Sequence, residues 1–154
     1  MDEVKFKLRP VEEKPKKGSE KGDNTKMWIV FNTKKQGLET IMRKHTVIAM
    51  RFLWGSAKEG AVSREIWLHV NKILMEAEGK SISRATIINA MNDMVDAGVL
   101  NYKEKPGKGG YHRIYFPAFD EEGFRLHVAK AVVLKFSDMW PDATREALIA
   151  SRKV

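Results

Sequence analysis

The sequence predicts a mainly α-helical fold with a small β wing, a winged helix-turn-helix followed by C-terminal dimerisation helices. Three observations carry that expectation. Between Gly60 and Pro117, two stretches with apolar residues at helical spacing precede two alternating segments joined by a Lys/Gly-rich link. The 154 residues suit one domain plus an added element. The formal net charge of +8 is concentrated in the middle: residues 27–118 carry +6, the first 26 carry +2 and the remainder is neutral. A basic middle beside a neutral end is the pattern of a segment that meets phosphates and another that meets protein.

Taken in order, residues 1–26 read as a basic arm or linker, mobile because 10–26 are rich in Lys, Glu, Gly and Pro and offer little apolar surface to offset the entropy of ordering. Val4, Phe6 and Leu8 alternate with charged residues and suggest a short strand pairing with Met27–Phe31. The winged-helix domain is assigned to 27–118. From Gly37, Leu38, Ile41, His45, Ile48 and Phe52 recur at three and four residues, predicting a helix packed on one face. Gly55 and Gly60 bracket a turn, and Ala61–Val62 can add a minimal strand to the wing. Ser63 is a suitable N-cap, with Glu65 in the first turn and Ile66, Val70, Ile73 and Leu74 as the buried stripe of a second helix running to about Ala77.

Gly79 ends that helix, and Ser81 or Ser83 can cap a third whose apolar face is Ile87, Met91, Met94 and Val95 and whose end is Gly98. Val99, Leu100 and Tyr102 begin a strand, Pro106 to Gly110 form the tip, and Tyr111, Ile114 and Phe116 return to Pro117. The segment 119–154 holds two more helices, one capped by Asp120 and one opened by Pro141. Trp54, Trp67, Phe52 and Met91 fall at helical spacings expected to face inward.

In a helix-turn-helix the second helix of the pair enters the major groove, about 12 Å wide, and offers its N-terminal residues to base edges. Those residues are Ser83, Arg84, Thr86 and Asn89: Arg84 can grip guanine O6 and N7, Asn89 can pair with adenine, and Thr86 can touch phosphate or a thymine methyl. Ser83 and Thr86 are equally suited to capping, and Arg84 to a solvated surface. In the wing, Lys103, Lys105, Lys108, His112 and Arg113 surround Gly107, Gly109 and Gly110, so a cationic tip can reach a phosphate or the minor groove. Edge lysines also discourage aggregation. Arg43 and Lys44 on the first helix complete the candidate DNA-binding set, while Asp93 and Asp96 place negative charge on the recognition helix, where they weaken phosphate contact unless they face away.

Other chemistry finds little support. The chain has no cysteine, which removes disulfides, thiolate metal sites and thiol catalysis and fits a reducing, cytoplasmic compartment. No signal peptide is recognisable at Met1, and no apolar run approaches the roughly 20 residues of a membrane span. His45, His69, His112 and His127 lie in separate elements without metal-pair spacing, His45 on an apolar stripe where a core role is expected. The sequence points to no catalytic residue, no metal ligand, no cofactor and no membrane contact, and assigns no small-molecule effector.

The runs Ala49-Met50-Arg51-Phe52-Leu53-Trp54, Ser63-Arg64-Glu65-Ile66 and Arg84-Ala85-Thr86-Ile87, then Met91, Met94, Gly98-Val99-Leu100 and Tyr115-Phe116-Pro117, together resemble the penicillinase repressor and copper-responsive repressor family over about Gly37 to Lys135. The resemblance implies a winged helix on a palindromic operator, DNA contact by Thr86 and its helix neighbours, and homodimerisation from Phe124 onward. Phe124, Val128, Val132, Phe136 and Trp140 are then the dimerisation candidates. Two family features are absent: the C-terminal cysteine cluster of the copper-responsive members and an Asn-Phe bond after the wing, where penicillinase-type members are cleaved. Asp93 stands where that family usually has a basic residue. The expected function is a sequence-specific DNA-binding transcriptional regulator, a repressor acting as a homodimer on double-stranded DNA; a protein-docking winged helix and a non-specific architectural DNA binder are the alternatives.

Overall fold

The computed structural model describes residues 31–152. The arm 1–26 and the strand pairing expected of Val4, Phe6 and Leu8 with Met27–Phe31 lie outside the described residues, except for Phe31 itself. Among the described residues, one compact unit runs to Phe119 and a second begins at Asp120.

The first unit opens with a 3-10 turn, Gly37–Thr40, followed by α1 (Lys44–Trp54), β1 (Ala61–Val62), α2 (Ser63–Glu78), α3 (Arg84–Asp96), β2 (Leu100–Gly107) and β3 (Gly110–Pro117). The three strands form an antiparallel sheet in the order β1-β3-β2. Met42, Met50, Leu53, Ile66, Ile87 and Met91 are fully buried, and the core lies among the three helices. The fold is the expected one, a helical body with a small sheet.

The helix expected from Gly37 is interrupted. Arg43 is extended, so the 3-10 turn and α1 are separate elements and the helical phase restarts at Lys44. Thr46, Val47, Ala49, Met50, Leu53 and Trp54 are therefore the buried residues of α1, while His45, Ile48 and Phe52 are half-buried. Because α1 packs against α2, α3 and β3 together, its buried surface is wider than one stripe. Phe52 lies at the margin, its ring stacked on His69 of α2 at 4.3 Å between centroids.

Ser63 is not the cap of α2. Val62 holds that position, and Glu65 Oε2 accepts from the Val62 N–H at 3.0 Å. The helix runs to Glu78, one residue beyond the expected end near Ala77, and closes at Gly79, left-handed at φ +65°. Ser83 rather than Ser81 caps α3, its Oγ accepting from the Thr86 N–H at 3.1 Å. The wing's strands extend further into the tip than expected, pairing Gly107 with Gly110 across a two-residue turn of Lys108 and Gly109. Gly109 in the turn and Gly110 at the start of β3 take φ of +87° and +120°, values that glycine adopts without a steric penalty.

The second unit consists of α4 (Glu121–Met139) and α5 (Pro141–Ser151). Asp120 Oδ1 accepts from the Gly123 N–H at 2.7 Å, and Pro141 occupies the first turn of α5, both as expected. Phe124, His127, Val128 and Ala131 are buried, and Phe136 stacks on Trp140 at 5.9 Å. Burial holds the His127 imidazole below its ordinary pKa. Among the described residues no helix is long and apolar enough to cross a membrane.

Candidate nucleic-acid interface

The position of α3 is fixed by the loop before it. After Gly79 the chain folds back along α2, where Asn71 Oδ1 accepts from the Ile82 N–H at 3.0 Å and the Trp67 indole N–H donates to the Ile82 carbonyl at 2.8 Å. Trp67 is half-buried and works here as a hydrogen-bonded strut, whereas helical spacing alone marks it only as core. This fold-back brings the start of α3 to the start of α2, where Arg84 Nε and NH2 donate to Ser63 Oγ at 3.3 and 3.1 Å.

Along α3, Ile87, Ala90, Met91 and Met94 face the core. Arg84 and Asn89 are exposed, as an interface requires. Thr86 is half-buried and its hydroxyl lies 2.9 Å from Ser83 Oγ, so both residues serve the cap as well as the surface. Asp96 is exposed and Asp93 half-buried, one to two turns beyond Asn89, away from the N-terminal half of the helix.

Strand alternation divides the wing's candidate residues between two faces. Toward α3 stand Tyr102, Glu104, Tyr111, Arg113 and Tyr115. Tyr115 OH and Arg113 NH1 both donate to Asn92 Oδ1, at 2.7 and 3.0 Å, and the Arg113 guanidinium lies over the Tyr102 ring at 4.0 Å. Burial pushes the Tyr115 phenol above its usual pKa, while the neighbouring Arg113 pulls the other way. On the opposite face, Lys103 stacks over Phe116 at 5.2 Å, and the His112 ring lies across Gly107, where a Cβ would stand 2.7 Å from Nε2. Lys105 pairs with His112 on that same face, and Lys108 sits in the turn. Of the five wing candidates, only Arg113 lies on the strand face turned toward α3, although His112 beside it also borders the hollow between α3 and the wing.

Arg43 and Lys44 lie elsewhere. Lys44 is ion-paired to Glu78 at the far end of α2, and fifteen residues of helix, about 22 Å, separate Glu78 from Ser63. The hydrogen bond with Glu78 holds the Lys44 pKa above its ordinary value, and the ammonium holds Glu78 below. Between α3 and the wing is an open hollow of about 310 Å³, lined on one side by Ser63, Arg84, Ile88 and Asn92 and on the other by Tyr111, His112, Arg113 and Tyr115. Among the described residues, no group of three His, Asp or Glu side chains gathers where it could hold a metal ion.

A trihelical body with a β wing on its third helix defines a winged helix-turn-helix protein. Residues 33–114 match the family described as the MCM protein C-terminal winged helix-turn-helix domain, and the chain belongs to that family. The match bears out the winged helix in the resemblance read from the sequence, not the penicillinase and copper-responsive repressor family specifically: the residues quoted for that likeness mark helix order and wing, which different winged-helix families share. The matched segment ends within β3, so α4 and α5 lie beyond it. Among solved structures, the chain is similar to a Thermoplasma acidophilum protein described as a transcriptional regulator, with TM-score 0.38 and 16% identity over 67% of this chain and 92% of that one. It is also similar to a PadR-family transcriptional regulator from Eggerthella lenta, with TM-score 0.35 and 20% identity over 66% and 81%. No curated protein matches the chain.

Proposed function

We propose that this chain is a DNA-binding transcriptional regulator that lays α3 in the major groove, reads bases with Asn89, and represses by occupying a palindromic operator as a homodimer. The observation that carries the reading is the exposed N-terminal half of α3 beside the wing. Arg84 and Asn89 stand there in solvent and Arg113 is held on the wing face turned toward the helix. Among the described residues, no carboxylate pairs with Arg84, Arg113 or the wing lysines. The dimer is supported by α4 and α5, which expose Leu134, Phe136, Met139, Trp140, Leu148 and Ile149.

The test is affinity for random duplex DNA against salt, with selection of preferred sequences from a random pool by the same protein. An enriched palindrome is expected, with log affinity falling against log salt by about 0.9 for each phosphate neutralised. Asn89→Ala is expected to flatten preference at one base pair of each half-site, a loss of about 1–3 kcal/mol in discrimination per contact, with the salt slope unchanged. Salt-dependent binding without enrichment replaces the regulator by an architectural binder; no binding at low salt replaces it by a protein-docking module.

A further inference from the structure

We infer that the hollow between α3 and the wing is a phosphate-binding site, in which Arg84 and Arg113 clamp a single phosphate group and Tyr111 offers its ring to the attached nucleoside. This deepens the DNA-binding reading and depends on it only for the source of the phosphate. Four observations converge. The hollow lies between two guanidiniums carried by different elements, Arg84 on α3 and Arg113 on β3, and no carboxylate lines it.

Both guanidiniums are already positioned. Arg84 is tied to Ser63, and Arg113 is fixed between Asn92 Oδ1 and the Tyr102 ring. These bonds use some of the five N–H donors of each fork and leave the others for a planar, doubly bonded oxyanion contact. Prior positioning also removes much of the side-chain ordering that such a contact otherwise demands. Third, the volume of about 310 Å³ is at the small end of ligand pockets and suits a nucleotide-sized group rather than a protein segment. Fourth, Tyr111 is 74% exposed at the rim, an aromatic surface with no packing role in the core and with the face a base can stack on.

This assignment gives Arg84 a different task from guanine recognition. A guanidinium anchored to Ser63 in the hollow grips backbone or terminal phosphate, and Asn89, one and a half turns further along α3, is left to meet base edges.

The phosphate can belong to a DNA backbone or to a free nucleotide, and one experiment on the full chain separates them. The Arg84 and Arg113 Nε–Hε resonances are followed by NMR during titration with inorganic phosphate, with adenosine 5′-monophosphate and with a short duplex. Saturable shifts at both arginines with phosphate and the mononucleotide, stronger with the latter, identify a free-nucleotide site. Shifts at both only with duplex identify a backbone phosphate; either result supports the clamp. In duplex titrations against salt, R84Q/R113Q is expected to reduce the slope by about 1 for each bound protomer, since both side chains of a protomer meet one phosphate, and Tyr111→Ala to weaken the mononucleotide several-fold. A reduction of about 2 for each bound protomer places the arginines on separate phosphates and overturns the clamp. Duplex binding that shifts Asn89 while leaving both arginine signals and the double variant's slope unchanged overturns the hollow but retains the DNA reading. No response to any of the three ligands overturns both.

Discussion

Single residues fix this architecture where the backbone has no alternative. Gly60, just before β1, takes φ +112°, and a Cβ there would stand 2.6 Å from Ile114 Cγ2 and 3.1 Å from the Tyr115 carbonyl oxygen. Those two atoms belong to the strand that pairs with β1, so an added methyl separates the helical body from its sheet at the point where they are joined. Gly60→Ala is expected to destabilise the protein by about 1–3 kcal/mol, the usual range for overpacking, aggravated by a φ that L residues rarely adopt. Urea denaturation checks this: the midpoint falls with the slope unchanged, and an unchanged midpoint contradicts the close approach. The same logic distinguishes Asn92, whose one side-chain oxygen serves both Tyr115 and Arg113 and ties α3 to the wing.

At the scale of elements, the α1–α2 interface contains a titratable group. His69 of α2 stacks on Phe52, and burial first, then the charge of Lys72, holds its imidazole below the ordinary value of 6.5. A histidine with a depressed folded pKa favours the native state in its neutral form, so its contribution is complete above about pH 6.5 and is lost as pH falls through the folded value. Unfolding free energies measured at pH 7.5 and 5 are expected to fall more for the wild type than for His69→Phe, which keeps a stacked ring without a proton site. Equal losses remove His69 from the acid response. This stack also shows what the sequence could convey. Phe52 was legible as an apolar helical residue, but its partner was not, because a contact between helices depends on their rotation and α1 restarts its phase after Arg43. The order of helices, the wing and a serine cap at Ser81 or Ser83 were legible because each rests on local signals: periodicity, glycine and a hydroxyl just before a helix. The candidate site was less so. Spacing alone made the wing cations one group, whereas strand alternation turns Arg113 to α3 and Lys103, Lys105 and His112 away. Tyr111, Ser63 and Asn92 were not among the site candidates because their importance lies in tertiary neighbours; only the period-two pattern of β3, applied to every side chain, could have singled out Tyr111 with Arg113.

For the whole molecule, the question is how a domain that presents one recognition helix can read a palindrome, and the answer proposed is a second copy joined through α4 and α5. Amphipathic helices in a finished monomer keep their apolar residues to one side. Here α4 buries Phe124 and Val128, 1% and 7% exposed, yet also leaves Phe136 41% and Trp140 59% exposed at its other end. Val132 is half-buried between them. The five residues expected to form the dimer surface therefore have different tasks: truncating Phe124 or Val128 tests folding, and truncating Phe136 or Trp140 tests association. Phe136→Ala with Trp140→Ala removes two stacked rings that large aromatic anchors at interfaces typically resemble. Sedimentation equilibrium is expected to give twice the chain mass for the wild type and the chain mass for this double variant, with circular dichroism unchanged. The DNA salt slope then divides with the mass, since a monomer neutralises half as many phosphates as a dimer on two half-sites. A wild type that sediments as a monomer ends the homodimer proposal. A double variant that remains dimeric moves the interface away from this end of α4.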